Sequence, residues 1–343
     1  MSKNHYIIPV FISHQGCPHQ CVFCNQDRIA KVVNEVKAKD VVKTIDEYLE
    51  SINNKSATIE VSFFGGTFTA INVDKQKELL SVAKEYKDKG LINKIRLSTR
   101  PDAINKGILD YLKEYKVDVI ELGVQSLDED VLRLSGRGHG VLEVVNSSKL
   151  IKEYGITLVH QIMPGLPGDT FEKDIKTVKK SIEMKPDLCR IYPALVIRDT
   201  PMEDMYKDGR FTPYSLEDAV SISKEMYKLY KKENIQIIRM GLQPTEAITW
   251  GQDIIDGPFH PSFRELVESS LICENIQNKI EKNDNIILEV NSKDLSKLYA
   301  NKKVYFNNLK QNHNGQINVT INDKLNIGKI KLIVVKKIED III

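Results

Sequence analysis

Short runs of apolar and β-branched residues alternate along most of the chain with longer stretches whose apolar positions recur every three or four residues. Tyr6–Ser13, Thr58–Phe64, Lys94–Ser98, Val117–Val124, Ile156–Met163 and Leu188–Leu195 read as strands. Between and after them, Asp40–Ile52, Asp74–Lys89, Ile104–Tyr115, segments opening at Asp128 and Val141, Thr170–Met184 and Leu216–Lys232 read as helices. Strands alternating with helices of this length predict a parallel sheet with right-handed crossovers. Six such units are too few for a complete eightfold barrel. The predicted fold class is therefore α/β, a partial (β/α)6 TIM-like barrel. Beyond Ile235–Met240 the pattern changes to a helix at Arg264–Ile280 and short strands at Asn285–Val290, Lys302–Phe306, Gln316–Asn322 and Lys329–Val335. This predicts a core barrel over residues 1–240 and a small C-terminal α+β domain over 241–343, serving as a lid or a substrate- or RNA-binding appendage.

Composition narrows the class without naming a function. Of 343 residues, 41% are apolar and 28% charged, the profile of a globular protein. No run approaches the roughly 20 apolar residues of a membrane span, and Met1–Pro9 has no signal-like apolar segment. These features, with few cysteines, predict a cytoplasmic protein without a membrane partner. The net charge of +2 demands no polyanionic partner. Residues 275–343 differ, holding 12 lysines against 7 acidic residues, with Tyr299, Tyr305 and Phe306 among them. Lysine with interleaved aromatics fits either a nucleic-acid surface, with Lys302, Lys303, Lys336 and Lys337 as candidates, or a solvated lysine-rich face.

Three of the five cysteines are clustered, in Gly16-Cys17-Pro18-His19-Gln20-Cys21-Val22-Phe23-Cys24-Asn25. Cys189 and Cys273 stand apart and read as buried thiols. Three thiolates on an Fe–S cubane leave one iron open, and an open coordination position marks a site that does chemistry. A zinc site completed by His14 or His19 is the alternative. The cysteine loop follows the first strand, at the barrel end where functional groups collect. Further polar and glycine-rich segments occupy the same end: Gly65-Gly66-Thr67 after the second strand, Ser98-Thr99-Arg100-Pro101-Asp102 after the third and Gly123-Val124-Gln125-Ser126 after the fourth. Arg137-Gly138-His139 lies in the next connection, Gly165-Leu166-Pro167-Gly168 follows the fifth strand, and Arg190-Ile191-Tyr192-Pro193 lies in the sixth.

The cysteine spacing resembles the signature of the radical S-adenosylmethionine (SAM) enzymes. The segments GGTF, TRPD, ELGVQS, RGHG, GLPG and RIYPALVIRDTP, in this order, resemble the radical SAM core of the Elongator catalytic subunit and its bacterial and archaeal relatives. The likeness covers roughly Tyr6 to Lys232. The cysteine run and GVQS also occur in the coproporphyrinogen dehydrogenase-like group. The resemblance implies a [4Fe–4S] cluster on Cys17, Cys21 and Cys24, whose open iron takes the amino and carboxylate groups of SAM. It implies that Phe23 and Asn25 line the adenine side, that Gly65 and Gly66 meet the SAM amino group, and that Gln125 reaches the ribose. It places Arg137 on the SAM carboxylate, with Gln161 and Gly165 near ribose and adenine. The glutamate usual before TRPD is Ser98 here. The sequence shows no counterpart of the Elongator acetyltransferase domain, so carboxymethylation of a wobble uridine is not implied.

The implied activity is reductive cleavage of SAM to a 5′-deoxyadenosyl radical that abstracts hydrogen from a substrate, with tRNA as the expected partner. An external one-electron reductant of flavodoxin or ferredoxin type is required. Arg190 and Tyr192, if on an inward face with Leu188 and Ala194, would touch substrate as catalytic groups. The alternatives are a radical SAM enzyme on a small molecule or tetrapyrrole, and a non-catalytic Fe–S or haem-binding carrier on this fold.

Overall fold

The strands β1 (His5–Ile12), β2 (Thr58–Gly65), β3 (Lys94–Thr99), β4 (Val119–Gln125), β5 (Thr157–Ile162) and β6 (Leu188–Ile191) lie side by side in chain order. The short β7 (Val196–Ile197) leaves the sheet, and β8 (Gln236–Met240) completes it as a seventh strand beside β6. Every neighbouring pair in this sheet is parallel. The result is a curled half-barrel with β1 and β8 as its two edges, open as six βα units predict. The computed structural model describes residues 4–12, 16–25, 35–54, 56–242 and 250–335.

The helices behave as their periodicity predicts. Ala38–Ser51 buries Val41 and Ile45, Val73–Asp88 buries Leu79, Leu80 and Ala83, and Lys106–Glu114 buries Leu109 and Leu112. Asn72 caps Val73–Asp88 by accepting from the amides of Asp74 and Lys75. The sheet's two faces differ in kind. Ile120, Leu122 and Val124 of β4 are fully buried, and His160 of β5 shows which face this is. Its ring nitrogens contact Ser148 Oγ at 3.0 Å on helix Val141–Glu153 and Ser181 Oγ at 2.8 Å on helix Phe171–Glu183. The opposite, concave face carries Glu60, Arg96, Glu121, Gln125, Gln161 and Arg190, one or two per strand by the period-2 alternation.

Four of these side chains form a buried charge ladder across adjacent strands. Arg96 Nε lies 2.8 Å from Glu60 Oε1 and its Nη1 3.4 Å from Glu121 Oε2. Arg190 Nε lies 3.1 Å from the same Glu121 oxygen. Ser62 Oγ donates to Glu60 at 2.8 Å. Opposite charges alternate, so the ladder is balanced, as buried ionised groups must be.

Two sequence expectations are corrected, and one helix is added. Leu188–Leu195 is a strand only to Ile191, because Pro193 cannot donate to a ladder; Tyr192 and Ala194 therefore lie beyond the strand. Helix Pro201–Lys207, capped by the Thr200 side chain, was not foreseen. Lys302–Phe306 is not a strand: Lys302 and Lys303 lie on a left-handed turn, and from Val304 to Gln311 the chain is helical, with Phe306 and Leu309 on one face entering the core.

The chain divides into two compact units, 1–261 and 262–343. The first runs past the boundary expected at 240 because β9 (Ile254–Asp256) returns to pair antiparallel with β7. In the second, β10 (Asn285–Val290) lies between β11 (Ile317–Ile321), parallel to it, and β12 (Ile330–Val335), antiparallel. Helix Phe263–Gln277 contributes Cys273 and Ile276 to the core of that unit, with Ile286, Leu288, Val290, Phe306 and Leu309. No helix among the described residues is long and apolar enough to cross a membrane.

Candidate radical SAM site

The cysteine loop, residues 16–25, emerges from β1 at the carboxyl end of the sheet and is held by packing from three sides. At Gly16, φ is +72°, and a Cβ there would lie 2.4 Å from Thr67 O. Only glycine permits that approach to the Gly65-Gly66-Thr67 turn. On the other side Val22 N donates to Ser135 O at 3.0 Å, and a Cβ on Gly138 would lie 2.4 Å from the His19 ring. From a third direction Met202 N donates to Val22 O at 2.9 Å. Phe23 packs with Leu166, Ala194 and Met202.

The three sulfurs meet different partners. Cys21 is buried, while Cys17 and Cys24 are half-buried. Cys17 Sγ lies 3.3 Å from Thr67 Oγ1, and Arg137 Nη1 donates to Cys21 Sγ at 3.2 Å. Arg137 Nη2 donates to Gly123 O at 2.6 Å, where the register of β4 against β5 shifts between Gly123 and Gln125. Gly123 is required here, since a Cβ would stand 3.0 Å from Gln125 Nε2 and 3.2 Å from Arg137 Nη2. Gln125 has φ of +68°, a costly conformation for a non-glycine residue and one that concentrates at functional sites. Its Oε1 accepts from Gln161 Nε2 at 3.3 Å.

The TRPD segment supports this assembly. Arg100 grips Asp102 with two hydrogen bonds of 2.9 and 3.0 Å and donates to the Arg137 carbonyl. His139 is buried with Nδ1 3.8 Å from Asp102 Oδ1. Burial first, then the charges of Arg137 and Arg100, hold its pKa down at about 3, so the ring is neutral.

The sequence-predicted residues thus fall into groups. Cys21, Arg137, Gly123, Gln125 and Gln161 form one connected constellation, while Cys17 contacts Thr67 of the neighbouring glycine turn. Gly65, φ +107°, lets β2 end against β1, and Gly66 N donates to Ile12 O at 2.6 Å. The Asn25 side chain is turned to the carbonyls of Arg198 and Asp199 at 3.3 and 3.2 Å. Gly165, φ +82°, packs its Cα against the Tyr214 ring. Arg190 lies lower on the concave face, where Nη1 donates to Tyr192 Oη at 3.0 Å and the guanidinium sits 5.4 Å from the Phe64 ring centroid. Sequence reasoning missed Thr67, Glu60, Arg96 and Glu121 as partners of these groups. Thr67 was legible in the GGT turn, but the ladder was not. Of the zinc-ligand alternatives, His14 lies outside the described residues and the His19 ring packs on Gly138.

The residues fit an anionic cluster. Arg100 and Arg137 are two buried guanidiniums, and of the two Arg100 is paired with a carboxylate, that of Asp102. Among the described residues no carboxylate pairs with Arg137 beside the Cys21 sulfur, and Arg137 Nε and Arg100 Nη1 have no hydrogen-bond partner. A buried cation in that position suits an anionic group. Among the described residues no three Cys, His, Asp or Glu side chains converge on a single ion. A cubane does not need them to, since its thiolates bind separate irons.

Residues 11–180 match the radical SAM superfamily and residues 186–272 its C-terminal domain. The tRNA uridine(34) acetyltransferase of Methanocaldococcus infernus is 29% identical over 256 residues, covering 63% of this chain and 48% of that protein. An uncharacterized protein of Methanocaldococcus jannaschii is 30% identical over 225 residues, covering 63% of this chain and 69% of that protein. The chain spans about half the length of the tRNA-modifying relatives it matches. A solved structure of the Elp3 protein of M. infernus superimposes with a TM-score of 0.64 at 24% identity, over 80% of this chain and 64% of that one, and shares its fold. The chain belongs to the radical SAM superfamily, related to the radical SAM core of the Elongator catalytic subunit, and is an enzyme whose cofactors are a [4Fe–4S] cluster and SAM.

Proposed function

We propose that this enzyme modifies a tRNA, with the cluster held by Cys17, Cys21 and Cys24. The observation that carries the reading is the 29% identity, over 63% of this chain, to a protein named for tRNA uridine(34) acetylation. When bound, the cluster supplies the electron that splits SAM reductively, and the protein positions the participants. On this reading Gly65 and Gly66 present backbone groups to the SAM amino group, and Arg137 offers to the carboxylate its Nε, which has no partner among the described residues. Gln125 and Gln161, already joined at 3.3 Å, share the ribose hydroxyls. Phe23, Asn25 and Gly165 border the adenine. Arg190 and Tyr192, fixed to each other at 3.0 Å, face the substrate from the concave wall. The enzyme draws its electron from an external flavodoxin- or ferredoxin-type donor.

In the second unit, Lys302 and Lys303 are exposed on a turn where Asn301, Lys302 and Lys303 all have positive φ. They are proposed RNA contacts. Lys336 and Lys337, also expected from sequence, lie outside the described residues.

The test is anaerobic reconstitution with iron and sulfide, then reduction and assay of 5′-deoxyadenosine with SAM and bulk tRNA. Formation that rises with tRNA and vanishes in Cys24→Ala supports the reading, with a mass shift in digested tRNA identifying the product. Formation stimulated by a tetrapyrrole or another small molecule instead would replace tRNA as substrate. A loaded cluster that never cleaves SAM would favour a carrier.

A further inference from the structure

We infer that Arg137 is a positioning residue that raises the reduction potential of the cluster through its hydrogen bond to Cys21, a role separate from any contact with SAM. The inference rests on the assignment of Cys17, Cys21 and Cys24 as cluster ligands. Hydrogen bonds to cluster sulfurs are among the terms that set Fe–S potentials, because they stabilise the more negative, reduced state more than the oxidised one. A charged donor in a buried site does so most strongly. Arg137 is 5% exposed, and its Nη1 stands 3.2 Å from Cys21 Sγ.

The arrangement is built to hold that contact. A guanidinium is a rigid planar fork, so anchoring Nη2 on Gly123 O at 2.6 Å fixes where Nη1 points. Gly123 leaves room for the fork, a Cβ there falling 3.2 Å from Nη2. Arg137 N donates to Leu132 O at 3.0 Å, and its carbonyl accepts from Arg100, itself clamped on Asp102. The flanking glycines, Gly136 and Gly138, have φ of +64° and +69° and lie against Gln20 and His19 of the cysteine loop. Loop and arginine are therefore registered to each other before any cofactor arrives. The edge left over is Nε, so the two roles use different atoms.

The experiment is a redox titration of the reconstituted full chain without SAM. Dithionite supplies one electron per cluster, and the reduced cluster is followed by electron paramagnetic resonance, with iron and sulfide counted in each variant. Arg137→Met, which removes the donor at similar length, is expected to load iron and to lower the reduction equilibrium about tenfold or more, which is 59 mV for a one-electron couple. Arg137→Lys, keeping the charge without the fork, should recover part of the shift. Gly123→Ala, which crowds Nη2, should move the potential the same way by less. A role confined to the SAM carboxylate leaves the SAM-free potential unmoved, so a fully loaded Arg137→Met with the wild-type potential overturns the inference. If Arg137→Met does not load, Gly123→Ala decides: a lowered potential sustains the inference and an unchanged one overturns it. Failure of the wild type itself to bind iron overturns the cysteine assignment instead.

Discussion

Glu121 is the member of the charge ladder whose loss should cost most. Its carboxylate, 4% exposed, serves two cations at once, Arg96 Nη1 at 3.4 Å and Arg190 Nε at 3.1 Å. Burial works against the charge on Arg190, but the neighbouring Glu121 and the Tyr192 hydroxyl outweigh it and hold the pKa above its usual value. In Glu121→Leu, Arg190 keeps the Tyr192 hydroxyl and the Phe64 ring but has lost its countercharge. Removing one partner of a buried ion pair costs about 3–5 kcal/mol, a large part of a typical total of about 5–15 kcal/mol. For a unit of this size that is a fall in Tm of about 6–20 °C, at about 2–4 °C per kcal/mol. Calorimetry of the cofactor-free chain reads it directly. Glu121→Leu combined with Arg190→Leu should lose less than Glu121→Leu alone, because the stranded charge is gone. A loss below about 1 kcal/mol for Glu121→Leu, the range of exposed pairs, would refute the premise that this face is dry. Additive losses in the double variant would refute the coupling.

Two further predictions concern pH. His160 is wholly buried, and burial, with a smaller contribution from Lys152, lowers its pKa to about 3, so the unfolded chain binds a proton near pH 6.5 that the folded chain refuses. Stability should be level above that pH and fall below it, by about 2 kcal/mol at pH 5 from this group; urea midpoints for His160→Gln should show a shallower fall, and an identical slope would exclude it. Asp169 and Asp174 are both raised, burial being the first cause and each other's charge the next for Asp174, so the pair retains a proton at neutral pH. Because the unfolded acids release theirs near pH 4, this pair costs stability increasingly as pH rises, and Asp174→Asn, which imitates the protonated acid beside Tyr214, should gain on the wild type in Tm between pH 5 and pH 8. A variant that loses ground over that range would mean both acids are ionised.

The strand order was legible because a parallel sheet of consecutive βα units leaves few topologies open. The rim was legible for a related reason: each motif follows a strand, and all carboxyl ends of a parallel sheet lie together. The ladder was hidden by the same alternation that reveals strands. Glu60, Arg96 and Glu121 occupy every-other positions, which in a flat sheet would face water; only curling of the sheet makes that face an interior. Lys302–Phe306 misled because β-branched and aromatic side chains suit a strand, while Phe306 and Leu309, three apart, were the helical pair that the core selected. The Thr200-Pro201 start signal was present but lay inside a segment read as one extended motif.

The distribution of charge on the concave face separates scaffold from site. Along the ladder every guanidinium has a carboxylate. At the rim the pairing is incomplete among the described residues: Asp102 pairs with Arg100, the neutral His139 adds no charge, and Arg137 touches a cysteine sulfur without a carboxylate partner. A buried cation without a carboxylate is costly, and an anion bound on the cysteine side relieves that cost. An enzyme could have placed a second aspartate there and gained stability. That it keeps the incomplete pairing, and spends three left-handed glycines registering the cysteine loop against it, argues that the unmatched charge belongs to the cofactor rather than to the fold.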